Sequence, residues 1–329
     1  MINLPEKISL ASLPTKIERL ERFSKKLGGP QIYIKRDDQT GTEISGNKIR
    51  KLEFAVQEAL DQGCNLLITC GGIQSNHARA TAAVAAKMGI ASCLVLRTNK
   101  EEPVEGNYFL GKVLGAQIRF ITSEEYSNRR IEIMEEIGEQ MKKEGYKPYI
   151  IPEGASNGIG TFGYYEAMKE IMMQEKEMGI KFDAIVMAVG SGGTYAGLLL
   201  ANKAVNHHAQ IYGVNVCDDE NYFKDRIHEI LHESFQYTNL EVAFSKDEIH
   251  ILDGYVGKGY AQSRPEELDF IYQLAKEEGV ILDPVYTGKA MYGLAQEIKK
   301  GTFKHCENIL FIHTGGLFGL FPKRDMFSF

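Results

Sequence analysis

Short apolar runs alternate along the chain with stretches whose hydrophobic positions recur every three or four residues. The runs predict strands at 32–35, 66–69, 92–96, 117–121, 149–151, 184–188, 211–216 and 309–313. The longer periodic stretches predict helices at 47–62, 75–88, 124–144, 194–204 and 286–299. Alternation of short strands with helices implies an α/β fold with open, mostly parallel sheets covered by helices on both faces.

The strands fall into two groups. Residues 45–155 suit one smaller α/β unit of about four strands, and residues 1–44 plus 156–329 suit a second, larger one. The segment 152–160, rich in Gly, Ser and Asn, is the expected crossover. Ligands in such folds bind in the cleft at the carboxyl ends of the strands.

Composition narrows the functional classes. The 329 residues carry a formal net charge of −6 and no basic tail, so nucleic acid is not an expected partner. No apolar run approaches a membrane span, and residues 1–30 lack the pattern of a secretory signal. Cys64, Cys70, Cys93, Cys217 and Cys306 are odd in number and scattered, which argues against a disulfide framework and favours a reducing cytoplasm.

Three segments carry candidate chemistry. Ser45-Gly46-Asn47-Lys48-Ile49-Arg50-Lys51 gathers cations at a helix start, where neighbouring positive charge is expected to make one amine nucleophilic. Gly190-Ser191-Gly192-Gly193-Thr194 joins a strand to a helix and suits a phosphate, although a tight turn needs the same glycines. It lacks the lysine of a Walker loop and the glycine spacing of a dinucleotide fingerprint. Gly71-Gly72-Ile73-Gln74-Ser75-Asn76-His77 ends in an N-cap serine whose helix start suits a carboxylate, and the alanines after it would let the helix pack closely under a ligand.

Other motifs compete. His228, Glu229 and His232 spell H-E-x-x-H, the pattern of a zinc hydrolase, with Glu241 or Glu248 as possible third ligands. Neither glutamate stands at a recognisable ligand spacing and the strand–helix alternation leaves no zincin frame, so a solvated amphipathic helix is the better reading and no metal is expected. Thr287, after Tyr286, and Thr314, at a strand end, are hydroxyls suited to a ring nitrogen or a leaving group.

Together with Ile34-Lys35-Arg36-Asp37-Asp38, these motifs resemble the fold-type II, tryptophan synthase β-like enzymes that use pyridoxal phosphate. Within that group, nearly the whole chain is similar to the subfamily of 1-aminocyclopropane-1-carboxylate deaminase and D-cysteine desulfhydrase. The resemblance implies Lys48 as the Schiff-base lysine and Lys51 as a neutralising cation for the cofactor phosphate. It implies that Ser191, Gly192, Gly193 and Thr194 cradle the phosphate and that Asn76 bonds the ring's phenolic oxygen. Ser75, Asn76 and His77 would hold the substrate carboxylate, and Tyr260 and Tyr286 match the family's two active-site tyrosines. A homodimer is implied as well.

Deaminases of the subfamily carry glutamate where this chain has Thr287 and leucine where it has Thr314. Two threonines match the desulfhydrases, with Thr314 facing the ring nitrogen and Thr287 beside the substrate. The reaction so implied is α,β-elimination of D-cysteine to pyruvate, hydrogen sulfide and ammonia. Lys48 or Ser75 would take the α-proton, and Tyr286, ahead of Tyr260, would assist the leaving group. Cysteate, 3-chloroalanine, serine and 1-aminocyclopropane-1-carboxylate remain rival small amino-acid substrates, and a non-catalytic cofactor-binding protein remains a rival reading.

Overall fold

Two parallel sheets organise the chain in the computed structural model, which describes residues 3–240 and 242–327. The strands are β1 (Ile17–Arg19), β2 (Gln31–Lys35), β3 (Leu66–Gly72), β4 (Ala91–Arg97), β5 (Gln117–Ile121), β6 (Pro148–Ile151), β7 (Ala184–Val189), β8 (Gln210–Asn215), β9 (His250–Leu252) and β10 (Asn308–Ile312). The smaller sheet has the order β5-β4-β3-β6 and the larger the order β1-β2-β10-β7-β8-β9. Every pairing is parallel except that of β1 with β2. Leu66, Leu67, Ile68, Ile185, Val186, Leu310 and Phe311 are fully buried, as strands covered on both faces require.

All eight strands and five helices expected from the pattern are present, with ends shifted by no more than three residues. The pattern missed β1 and β9. Each has only three residues and lies at an outer edge of the larger sheet, so its strand character comes from its neighbour rather than from its own periodicity.

A buried ionic network ties the helix Lys48–Asp61 to the larger sheet. Arg50 donates to Asp37 through Nε and Nη2, each at 2.9 Å, and to Glu170 through Nη1 at 2.9 Å. Lys35 Nζ reaches Glu170 at 2.6 Å, and the hydroxyls of Thr15 and Tyr164 also donate to Asp37. Burial alone would raise the Asp37 carboxyl, but the Arg50 and Lys35 charges overcome it and hold the group at about 2, below the usual 3.8.

A carboxyl lowered on folding stabilises above its unfolded pKa, and that contribution is lost as pH falls through the folded one. Asp37→Asn should therefore cost about 3 kcal/mol at neutral pH, the scale for breaking a buried pair. In urea titrations, the gap from wild type should narrow as pH falls from 3.8 toward about 2.

Candidate active site

A cavity of about 780 Å³ opens where the carboxyl ends of β3, β4, β7 and β8 meet the first turns of three helices. Lys48, Ser75, Asn76, His77, Ser191, Gly192, Thr194, Tyr260, Tyr286 and Thr314 all line it. Lys51 and Gly193 lie one layer behind the wall.

The basic helix start divides its cations by geometry. Lys48 and Lys51 stand three residues apart on one face, and Arg50 points the other way into the Asp37–Glu170 network. Neither lysine has an ion-pair partner among the described residues. Lys48 Nζ meets Asn47 Oδ1 at 3.2 Å, and Lys51 Nζ donates to Ser156 Oγ at 3.0 Å. Burial lowers Lys48 to about 8, against weaker opposing attraction from Glu153 and Asp283. Lys51 is lowered well below its usual value by burial and then by Lys48. The activating influence on Lys48 is thus desolvation, not the neighbouring positive charge expected from the sequence.

The glycine loop after β7 is drawn around Ser156. The Gly193 N–H donates to Ser156 Oγ at 3.2 Å, and Ser191 and Ser156 share a hydroxyl bond of 2.8 Å. A side chain at Gly193 would strike Ser156, and Gly192 takes φ +86°, which favours glycine. Asn47 Nδ2 donates to Thr194 Oγ1 at 2.9 Å and joins this loop to the lysine helix. Ser156 went unnoticed in the sequence, although the crossover that holds it was marked by its Gly, Ser and Asn content.

The Ser75 N-cap forms as its residue type suggests, with its Oγ accepting from the Ala78 N–H at 3.1 Å. A Cβ on Gly71 would lie 2.4 Å from that Oγ, so glycine there is required by the turn. Arg79 Nε donates to Asn107 Oδ1, and Asn107 Nδ2 donates to Asn76 Oδ1 at 2.9 Å. The chain of donors fixes the Asn76 amide and leaves its N–H side as a donor. Thr69 gives its hydroxyl proton to Ile151 O, so His77 Nε2 must donate to Thr69 Oγ1 at 2.7 Å. Burial, with Lys48 and Lys51, holds His77 well below its usual pKa, so it offers a helix-start N–H rather than a cationic ring.

Two expectations are corrected. Thr287 does not line the cavity: its hydroxyl donates to Asp283 Oδ1 at 2.7 Å and accepts from the Asp283 N–H at 2.9 Å. Asp283 also accepts from the Val285 and Tyr286 N–H groups, so this corner shapes the Tyr286 turn instead of touching a ligand. The alanines of the helix Asn76–Met88 serve packing within the fold. Ala80, Ala83 and Ala85 meet Ile49, Leu52 and Val56, and Ala78 and Ala82 meet Leu94, Leu96 and Tyr108.

Thr314 lines the cavity and its carbonyl accepts from the Asn47 N–H at 3.1 Å, which needs the bare Gly46 alongside. The Tyr260 and Tyr286 hydroxyls meet at 2.5 Å; burial raises Tyr260 to about 12 and lifts Tyr286 well above its usual value, so both keep their protons. The H-E-x-x-H residues gather no metal-binding group of three among the described residues. Glu229 pairs with Arg226, Glu248 pairs with Lys203, and Glu241 lies outside the described residues.

Two buried amines without carboxylates, a glycine loop at a helix start and a fixed amide donor together fit a phosphorylated aldehyde with a phenolic oxygen. The profile of the family described as "Pyridoxal-phosphate dependent enzyme" matches residues 8–315. A bifunctional D-cysteine desulfhydrase/1-aminocyclopropane-1-carboxylate deaminase, mitochondrial, of Arabidopsis thaliana is 45% identical over 97% of this chain and 80% of its own length. A Pyrococcus abyssi protein provisionally named a 1-aminocyclopropane-1-carboxylate deaminase is 42% identical over 96% of this chain and 93% of its own. The crystal structure of an ACC deaminase homologue superposes with a TM-score of 0.90 at 39% identity, covering 98% of this chain and 95% of that one. A threonine deaminase from T.th., 21% identical, shares the fold with a TM-score of 0.64, covering 92% of both chains.

Buried amines whose pKa falls on folding destabilise most below the folded value, and the penalty fades as pH nears the unfolded 10.5. Cofactor-free protein should gain thermal stability from about pH 8 toward 10.5. Lys51→Met should flatten that rise in a melting series while weakening retention of a phosphate monoester.

Proposed function

The chain belongs to the pyridoxal-phosphate dependent enzyme family, and from that premise we propose that it catalyses α,β-elimination of D-cysteine to pyruvate, hydrogen sulfide and ammonia. Membership of the deaminase and desulfhydrase group makes it a pyridoxal-phosphate dependent lyase. The observation that carries the proposal is Lys48, a buried amine with pKa about 8 on the wall of the cavity that a proton-holding tyrosine pair also lines.

Bound pyridoxal phosphate supplies the electron sink that makes the α-proton of an amino acid removable. Lys48 would hold the cofactor's aldehyde carbon until substrate arrives, and Lys51, Ser191, Gly192, Gly193 and Thr194 would hold its phosphate. Asn76 would donate to the phenolic oxygen, and Thr314 would offer the ring nitrogen a neutral hydroxyl. The Asn76 and His77 N–H groups, which make no bond among the described residues, and the Ser75 hydroxyl would take the substrate carboxylate. A free Lys48 amine takes the α-proton more readily than Ser75, whose oxygen already accepts from Ala78. Tyr286, backed by Tyr260, would hold the sulfur as it departs.

Deamination of 1-aminocyclopropane-1-carboxylate is the second reading, favoured by the names of the relatives. Against it stand Thr287 and Thr314, since neither gives the ring nitrogen a carboxylate, and a milder sink suits a substrate with a good leaving group on its β-carbon. Domains at 1–44 plus 156–329 and 45–155, a homodimer and a cytoplasmic setting belong to the same proposal. All five cysteines are free, which supports a reducing compartment. Among the described residues, no helix is long and apolar enough to cross a membrane.

Purified holoenzyme given D-cysteine should release sulfide and pyruvate in equal amounts, and Lys48→Ala should lose roughly a thousandfold or more in that rate. Given 1-aminocyclopropane-1-carboxylate, it should release little 2-oxobutyrate. Faster 2-oxobutyrate release than sulfide release would overturn the choice of substrate.

A further inference from the structure

Arg97 is the last residue of β4 and stands opposite Gly72 in the ladder, at the mouth of the loop that leads to Ser75. Its Nη2 lies 3.7 Å from the point where a side chain on Gly72 would begin, so the guanidinium packs against the Gly72 backbone at the cavity wall. The group is held by rings. Its Cζ is 4.8 Å from the Tyr126 centroid and 5.3 Å from the Tyr260 centroid. Alone among the arginines of the described residues, its side chain makes neither a hydrogen bond nor an ion pair. The nearest alternatives are spent: Arg226 pairs with Glu229, and Arg130 donates to the carbonyls of Tyr126 and Ser127. The cavity carboxylates Glu153 and Asp218 form no ion pair with Arg97.

A positioned guanidinium with all its donors unspent, facing a cavity, is a site for an anion. The other walls are taken in the proposed reaction, on which this inference rests. An amino acid whose amino group faces Lys48 and whose carboxylate rests on the helix start at Asn76 has its side chain left for the wall of Tyr126, Tyr260, Tyr286 and Arg97. We propose that Arg97 determines specificity by binding the substrate's side-chain substituent as an anion. The substrate class is then amino acids whose β-carbon bears a thiolate, sulfonate or carboxylate, in preference to those bearing a hydroxyl or an amide. Arg97 is assigned to recognition only, with no part in moving the α-proton.

Aspartate and asparagine test this directly, since they share a shape and differ in charge. Calorimetric titration of the holoenzyme with each, in both D and L forms, should give aspartate an affinity about tenfold or more above asparagine in at least one stereochemical series. Arg97→Gln should bring the ratio close to one, and Arg97→Lys should keep part of it. Equal binding by wild type, or a ratio unchanged in Arg97→Gln, would overturn the proposal. If Arg97→Gln fails to retain the cofactor, the wild-type ratio and its reduction in Arg97→Lys decide in the same sense. An Arg97-dependent charge preference without any sulfide release from D-cysteine would leave this recognition standing and remove the proposed reaction. Sulfide release without a charge preference would do the reverse.

Discussion

Asp37 and Glu170 claim one cation from the first turn of the helix Lys48–Asp61 and leave two others without a carboxylate. Arg50 is satisfied beside the larger sheet by bonds of 2.9 Å to each acid. That anchor fixes the rotation of the helix. Lys48 and Lys51, on the opposite side, must then face the cavity and the Ser156 loop. Burial without neutralisation is unfavourable for an amine, and it keeps Lys48 nucleophilic near neutral pH. The energetic cost of the site is borne by the network on the far side of the same turn.

The remaining parts are arranged around that turn. Asn47 reaches forward to Thr194 and back to the Thr314 carbonyl, so the lysine, the glycine loop and the end of β10 are held by one residue. Close approach depends on glycine at Gly46 against Thr314, Gly193 against Ser156 and Gly71 against Ser75. The tyrosine pair closes the side facing β4, with Asp283 holding the turn that presents Tyr286. Apart from that Asp283 turn, these contacts join segments far apart in sequence.

The sequence made some of this readable and concealed the rest. The β7-to-helix glycines and the Ser75 cap are local devices, and both form as their residue types require. The spacing of Lys48 and Lys51 already put them on one helical face, but what lowers Lys48 is burial, which no local pattern reveals. Ser156 and Arg97 matter through partners dozens of residues away, so the sequence marked the crossover around Ser156 but neither residue itself. Thr287 misled because its neighbour Tyr286 lines the cavity. Its hydroxyl was nonetheless taken by Asp283, a choice fixed by the turn geometry rather than by residue type. Edge strands β1 and β9 were invisible for the same reason, since three residues carry no period of their own.

The central claim is that the buried amine of Lys48 is the one that bonds the cofactor. Borohydride reduction of the pyridoxal-phosphate-loaded protein, followed by peptide mass spectrometry, tests it most directly. The account predicts a single reduced phosphopyridoxyl group, on the peptide that contains Lys48. Labelling of Lys51 or of a surface lysine, with Lys48 unmodified, would contradict it.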